Sequence, residues 1–365
     1  MKRTPLYAAH VALGARMAAF GGWDMPIQYG GILAEHHHAR RNVSVFDTGH
    51  MGEFELDGPT ALSDLERLLT QSIAGIHVGQ CRYGYLLRND GGVLDDLTCY
   101  RRAADRFLLV VNAGTLDGDR EWIRSRLSPE TRFRDLSRET AKLDVQGPAS
   151  RAAMERVFEV ALPDLGYFRF AETTLQGADC ILSRTGYTGE WGYEIYFPAA
   201  RAVEFWERLL RDAEVKPAGL GARDTLRIEV GYPLYGHELS TERTPVPATH
   251  GQFIDPSKDF IGRDAVERDL RRGVAQVLTG LKLETKRAAR AQDTVLKDGK
   301  KVGFVTSGSI APSLGFAVAM AYVNRELATP GTALQVGVHG DLLPAMVTDM
   351  PFYTRGTARK LCPES

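Results

Sequence analysis

Apolar positions predict helices and strands in the first three quarters of the chain and strands almost alone in the last quarter. Apolar residues at helical spacing predict six helices, over residues 32–43, 62–69, 114–127, 149–157, 203–210 and 219–236. Apolar runs bounded by turn residues predict strands over 83–87, 93–100 and 107–111. From about Val277 to Phe352, short strands alternate with turns at 297–299, 306–308 and 339–341. This pattern predicts an α+β protein that ends in a small β-barrel or β-sandwich.

One predicted hairpin carries a carboxylate on an apolar face. Asn89-Asp90-Gly91-Gly92 is a strong turn signal between two apolar runs. Because side chains alternate along a strand, Asp95 shares a face with the apolar residues at 93, 97 and 99. A buried carboxylate is costly unless it is paired, hydrogen-bonded or protonated, so the pattern favours a catalytic or binding role. The alternatives are a carboxylate bonded to nearby backbone amides and a face exposed to solvent.

The string RTGYTGEWGYEI, residues 184–195, combines glycines with aromatic and acidic residues. A strand-like run follows it, so the string does not have the strand–turn–helix context of a dinucleotide-binding glycine motif. The glycines predict a backbone that approaches a flat ligand, on which Tyr187 could stack. A glutamate here could accept two hydrogen bonds from an amino-pyrimidine edge. The alternative is a bulged hairpin with exposed acids.

Two arginines and three histidines are further candidates for chemistry. Arg223 and Arg227 lie one helical turn apart, which suits either bidentate binding of a substrate carboxylate or a surface ion-pair face. His36, His37 and His38 are adjacent, and neighbours on a helix point about 100° apart, so they cannot all face one metal. We expect these histidines to contact a partner or solvent, and we expect no metal site.

Composition narrows the function classes. The 365 residues exceed what one core usually supports, so two or three domains are expected. A net charge of −1 gives no general attraction to nucleic acid, and no apolar run reaches the length of a membrane span. The four cysteines include no C-x-x-C pair, which argues against a zinc site and a disulfide framework and suits a reducing, cytoplasmic location.

Several long strings, in this order along nearly the whole chain, resemble those of the glycine cleavage system T-protein family. They are TPLYAAHVALGARMAAFGGWDMPIQYG, EHHHARRNVSVFDTGHMGEF, RYGYLLRNDGGVLDDLTCY, LLVVNAG, LDVQGP, RTGYTGEWGYEIYFP, GLGARDTLRIEVGYPLYGHEL, DFIGRDA and TSGSIAPSLGFAVAMAYV.

The resemblance implies a three-domain cloverleaf with folate in the central opening. Two mixed α+β domains with antiparallel sheets are expected, followed by a barrel-like domain. The first would comprise residues 1–50 and 138–245, the second residues 51–137 and 246–275 with the catalytic hairpin, and the all-β domain residues 276–365.

The resemblance also implies site residues. Asp95 matches the catalytic aspartate, near the folate nitrogens, and Glu194 matches the residue that recognises the pterin ring. The other matched folate-site positions are Tyr83, Asn112, Tyr187, Arg223, Arg227 and Tyr353; the match of Tyr353 is weaker and the two arginines cannot be ranked.

The implied activity is aminomethyl transfer in glycine catabolism and one-carbon metabolism. The one-carbon unit would pass from the S-aminomethyl-dihydrolipoyl arm of the lipoylated H-protein to tetrahydrofolate, releasing ammonia. Two segments depart from the family pattern: Phe46-Asp47-Thr48-Gly49-His50-Met51, and Gln252-Phe253 after Gly251, where a glycine–tryptophan pair is usual. These departures keep two alternatives open, a folate-dependent demethylase of a small molecule and a non-catalytic folate-binding module.

Overall fold

The computed structural model describes residues 1–249 and 251–360. The helices of these residues are α1 Tyr7–Ala12, α2 Ile32–Arg41, α3 Ala61–Leu68, α4 Leu116–Arg124, α5 Ser150–Phe158, α6 Ala202–Leu210, α7 Leu220–Glu229, α8 Val246–Thr249 and α9 Arg263–Arg272. The strands are β1 Arg16–Phe20, β2 Trp23–Gln28, β3 Val43–Asp47, β4 Gly52–Asp57, β5 Gln80–Leu87, β6 Val93–Arg101, β7 Arg106–Val111, β8 Arg132–Asp135, β9 Thr140–Gln146, β10 Phe170–Leu175, β11 Ala178–Ser183, β12 Gly192–Pro198, β13 Val215–Pro217, β14 Gln276–Leu283, β15 Thr294–Lys297, β16 Lys300–Ala311, β17 Phe316–Asn324, β18 Ala333–Val338 and β19 Asp341–Thr348.

The first large sheet has six strands in the order β10-β11-β12-β9-β3-β13. Its pairs are antiparallel except for β13, which runs parallel to β3. Helices α5 and α6 supply apolar side chains to its core, and the ring of Phe205 stacks on Phe197 at 4.2 Å between centroids. The sheet fixes β9 beside β12, so side chains at the same level on those two strands become neighbours.

The second large sheet has five antiparallel strands in the order β5-β6-β7-β4-β8. Helices α3 and α4 cover one face with Leu65, Leu68, Leu116 and Ile123. The predicted hairpin is confirmed as β5 and β6, which are joined by a turn at residues 88–92.

The last six strands form a closed barrel in the order β14-β17-β16-β15-β18-β19. The α+β class with a C-terminal barrel is therefore confirmed. The predicted turn at 306–308 is wrong, because these residues belong to β16 and pair with β17. Their serine and glycine content suggested a turn, but a bulge between Val305 and Ser307 lets the strand continue.

The predicted helices exist, and four of them, α2, α3, α4 and α7, end earlier than their patterns suggest. Helix α7 ends at Glu229 rather than 236, because Gly231 has φ +70° and Pro233 cannot continue a helix. Helix α2 ends at Arg41, and β3 begins two residues later. None of the described helices is long and apolar enough to cross a bilayer. The structure describes three cysteines as free thiols, whereas Cys362 lies outside the described residues.

We predict that Gly303→Ala destabilises the barrel. A Cβ at Gly303 would lie 2.1 Å from the carbonyl oxygen of Tyr322 on the paired strand, so the two strands would have to separate. Overpacking of this kind costs about 1–3 kcal/mol. Gly337→Ala is the matched control in the same barrel, because its nearest atoms would be 3.8 Å away. Calorimetry that gives both variants the same melting temperature would contradict the prediction.

Candidate active site where the two large sheets meet

Strand β6 places two adjacent carboxylates on opposite faces of the second sheet. Asp95 is 0% exposed on the core side, so the predicted burial is confirmed and the solvent-exposed alternative is wrong. Its carboxylate accepts hydrogen bonds from the backbone and side-chain amides of Asn112, at 2.9 and 2.8 Å. Asp96 lies on the other face, is partly exposed, and accepts 2.9 and 3.0 Å bonds from the Tyr83 hydroxyl and the Asn112 amide. Asn112, at the end of β7, therefore holds both carboxyls.

The environment of these carboxyls favours their protonated forms. Burial first, and then the carboxyl of Asp119, raise the pKa of Asp95 well above its usual range. Burial and the neighbouring Asp95 raise the pKa of Asp96 to about 7. An acid with a pKa near neutrality can both accept and donate a proton at physiological pH. The partly exposed member, Asp96, is the one that a ligand can contact.

Aromatic side chains lie on one side of Asp96. The Phe253 ring meets the Tyr83 ring edge to face at 4.8 Å, so the Gln252-Phe253 departure from the family pattern lies next to the tyrosine that donates to Asp96. The negative charge of Asp96 raises the pKa values of both Tyr83 and Tyr187, after burial as the first cause. Tyr187 belongs to the first-sheet loop between β11 and β12, so the two large sheets contribute to one site.

Tyr187 is fixed in that loop by contacts at its hydroxyl and its ring. The hydroxyl donates to the backbone carbonyl of Pro233. The guanidinium of Arg223 lies 5.0 Å from the ring centroid, and the Tyr232 ring lies 5.8 Å away. The tyrosine hydroxyl is thereby engaged within the protein, which leaves the ring as the part able to contact a flat ligand.

Glu194 belongs to a buried network of charges on the first sheet. Its Oε1 accepts a 2.9 Å bond from the ammonium of Lys142, and its Oε2 accepts bonds from Thr185 and Tyr196 at 2.7 and 3.0 Å. Lys142 also donates to Asp144 at 2.7 Å. The glutamate is 12% exposed at its side chain, so the alternative of an exposed acid is wrong.

Arg223 belongs to the same charge network through its contact with Asp144. It donates to Asp144 at 2.6 Å, and although burial acts in the opposite direction, Lys142 and Arg223 together lower the pKa of Asp144 to about 2. Two cations and two carboxylates therefore compensate one another. Among the described residues, Lys142 is the one donor within hydrogen-bond distance of Glu194 Oε1, which leaves that oxygen capacity for another donor.

Arg227 has a different environment from Arg223, although the two lie on the same helix. It is 1% exposed and donates to Glu238, Asp224 and Ser307 at 3.0, 2.8 and 2.7 Å. Ser307 belongs to the barrel, so Arg227 joins α7 to the barrel. The surface ion-pair alternative is wrong for this residue, and Arg223, whose side chain is 14% exposed, is the more accessible of the two arginines.

Tyr353 lies beside a second group of buried charges, formed by Arg40, Glu190 and Glu229. Its ring stacks on the guanidinium of Arg40 at 4.2 Å, and its backbone amide donates to the carbonyl of Glu229. Arg40 pairs with Glu229 and Glu190 at 2.9 and 3.0 Å. His36 lies 3.2 Å from Glu229 and is fully buried, so the expected exposure is wrong for this histidine. No group of three or more His, Cys, Asp or Glu side chains in the described residues is arranged to hold a metal.

Sequence reasoning singled out Asp95 and not its neighbour Asp96, and it missed Lys142 and Asp144. The available signal was strand alternation in Lys142-Leu143-Asp144, which puts two opposite charges on one face of a strand. Strand β9, which carries Lys142 and Asp144, pairs with β12, which carries Glu194. The three charges become neighbours only in the register that sets Asp144 opposite Glu194.

Family models and known relatives match this chain over nearly its whole length. The family described as the GCVT N-terminal domain matches residues 6–258, and the glycine cleavage T-protein C-terminal barrel domain matches residues 276–354. An aminomethyltransferase of Moorella thermoacetica is 42% identical over 360 residues, which cover 97% of this chain and 98% of that protein. One from Thermotoga neapolitana is 40% identical and covers 99% of each.

A solved structure is similar over the same extent. The glycine cleavage system aminomethyltransferase T from Bartonella henselae superposes with a TM-score of 0.93 at 34% identity, covering 98% of this chain and 99% of that one.

We predict that Arg227→Met is much less stable than Arg223→Met. The first change leaves the fully buried carboxylate of Glu238 without its cation, and breaking such a pair costs about 3–5 kcal/mol. After the second change, Asp144 keeps its Lys142 partner. The double variant Arg227→Met, Glu238→Gln should recover part of the loss. Denaturant unfolding of all three variants measures this, and equal losses for the two single variants would contradict it.

Proposed function

The chain belongs to the glycine cleavage T-protein family and is an aminomethyltransferase, and on that premise we propose its donor and acceptor. The donor is the S-aminomethyl-dihydrolipoyl group of a lipoylated H-protein carrier, and the acceptor is tetrahydrofolate. The products are 5,10-methylenetetrahydrofolate, ammonia and the dihydrolipoyl carrier.

The observation that carries this proposal is the partly exposed carboxyl of Asp96 beside Tyr83 and Phe253 and near Tyr187. In the reaction, a C–N bond to ammonia and a C–S bond to the carrier break while the carbon forms two bonds to folate nitrogens. Each of the two folate nitrogens loses a proton as it bonds the carbon; one proton goes to the departing ammonia and the other to the thiolate of the carrier. A carboxyl whose pKa is about 7 suits both transfers.

The resemblance to the family gave the catalytic role to Asp95, and burial leads us to propose a division of labour. Asp96 contacts the reacting nitrogen and exchanges its proton. Asp95, which is 0% exposed, holds Asn112 and through it the orientation of Asp96.

In this proposal, residues of the first large sheet and of α7 recognise the acceptor, tetrahydrofolate. Glu194 Oε1 accepts hydrogen bonds from the amino-pyrimidine edge of the pterin, while Lys142 keeps its charge compensated. The Tyr187 ring covers the flat ligand, and Arg223 lies behind that ring. The aromatic surroundings exclude water and hold two large substrates together, which converts their reaction into an effectively unimolecular one.

The direct test mixes the purified protein with tetrahydrofolate and an aminomethylated lipoyl carrier and measures ammonia and methylenetetrahydrofolate. Equal amounts of both products support the proposal. Turnover of a free N-methylated small molecule without the carrier would favour the demethylase, and folate binding without any turnover would favour the binding module.

We predict that Asp96→Asn slows single-turnover ammonia release by roughly 10²-fold or more, the range for a positioned acid–base group. Asp95→Asn should slow it less, because that residue acts through Asn112. In the wild type, the rate should fall below about pH 7 as Asp96 takes up a proton and can no longer accept one from the folate nitrogen. A near wild-type rate for Asp96→Asn with an inactive Asp95→Asn would return the catalytic role to Asp95.

We predict that Glu194→Gln weakens tetrahydrofolate binding about 10- to 150-fold, as expected for loss of a charged hydrogen-bond acceptor worth about 1.5–3 kcal/mol. The control is Glu204→Gln, because Glu204 lies on the exposed side of α6 in the same domain. Calorimetric titration gives the affinities. Unchanged affinity in a folded Glu194→Gln protein would exclude this residue from the pterin site.

A further inference from the structure

A third carboxyl lies behind the Asp95 and Asp96 pair. Asp119, in the first turn of α4, is 2% exposed and lies within hydrogen-bond distance of Asp95. Its Oδ2 has no hydrogen-bond donor among the described residues. The three carboxyls thus form a cluster, with Asp95 and Asp119 buried and Asp96 partly exposed, that the family strings did not indicate.

No cation compensates this cluster. Among residues 1–249 and 251–360, no lysine or arginine forms an ion pair with any of the three carboxyls. The titratable groups that act on them are Tyr83 from β5 and Tyr235 from the segment after α7, besides the three acids themselves. Three adjacent ionised carboxylates would be strongly unfavourable at this burial, so the cluster has to retain a proton.

The hydrogen bonds indicate where that proton lies. Both oxygens of Asp95 already accept N–H bonds from Asn112. These two bonds oppose the effect of burial on Asp95, whereas Oδ2 of Asp119 has no donor. A proton shared between the carboxyls of Asp95 and Asp119 supplies the missing hydrogen bond.

We propose that Asp119 is a positioning residue that shares one proton with Asp95 and so fixes Asn112 and the reactive orientation of Asp96. The pair exchanges this proton as a unit. Burial raises the pKa values of Asp95 and Asp119, which agrees with a retained proton at neutral pH. This inference rests on the proposed role of Asp96 in aminomethyl transfer.

The first experiment detects the proton without any substrate. Infrared spectra of the whole protein, labelled with ¹³C at aspartate carboxyl carbons, are recorded at about pH 8, above the pKa of Asp96. The wild type should show the carbonyl band of a protonated aspartic acid. Asp119→Asn should lose it, because the introduced amide donates to Asp95 in place of the proton. Asp117→Asn, an exposed position on the same helix, should keep the band.

The second experiment asks whether the proton serves the reaction. Asp119→Asn should keep aminomethyl transfer within about threefold of the wild-type rate, because the donor to Asp95 is restored. Asp119→Ala should lower kcat at least tenfold with little change in the KM for tetrahydrofolate, since the pterin site is untouched.

Each outcome has one meaning. Absence of the band in the wild type, or its persistence in Asp119→Asn, overturns the shared proton. Equal loss of activity in Asp119→Asn and Asp119→Ala overturns the positioning role. If Asp119→Ala does not fold, the infrared comparison and the rate of Asp119→Asn decide. If the wild type transfers no aminomethyl group, the proposed function fails, whereas the infrared result still tests the proton.

Discussion

The need to compensate buried charge is the constraint on which the candidate site depends. In a medium of low dielectric constant, an ionised side chain without a partner costs more than most domains can offset. The protein meets this need in two ways on the two sides of the site. On the first sheet, Lys142 and Arg223 balance Asp144 and Glu194. On the second sheet, no lysine or arginine of the described residues pairs with Asp95, Asp96 or Asp119; Asn112 holds the first two through hydrogen bonds, and the proton proposed above compensates the rest.

This asymmetry gives the two halves of the site different chemistry. A glutamate held among cations is a fixed acceptor, suited to recognising a donor edge of a ligand. A carboxyl among other carboxyls has its pKa raised toward neutrality, and it is suited to moving protons. The sheets contact each other directly, for example through the Tyr100 and Tyr196 hydroxyls at 3.0 Å, and the proposed function therefore has both kinds of group act on one ligand.

Hydrogen bonds of charged side chains also connect the barrel and residue 357 to α7 and to the loop before β12. Arg227 reaches Ser307 of the barrel, and Glu229 accepts a hydrogen bond from the backbone amide of Ser313, before β17. Glu190 accepts two bonds from Thr357 in the tail. Helix α7 and the Tyr187 loop are therefore held from the barrel side as well as from the sheet. Two of the strings shared with the family, the one around Tyr187 and the one around Arg223 and Arg227, therefore stabilise the fold as well as contributing to the candidate site. Resemblance alone does not separate these two roles.

The sequence by itself determined the class of fold and most of its elements, because apolar periodicity is a local property. It predicted the β5–β6 hairpin, the burial of Asp95 and the late all-β segment, since alternation and turn residues act over a few positions. The end of α7 has a local cause in Gly231 and Pro233, whereas the continuity of β16 was decided by its pairing with β17. Which of the two adjacent carboxyls is partly exposed and which arginine is fully buried were also decided by the tertiary structure. Those properties depend on what lies opposite each side chain, and partners such as Lys142 and Glu194, 52 residues apart, become neighbours only when the strands pair.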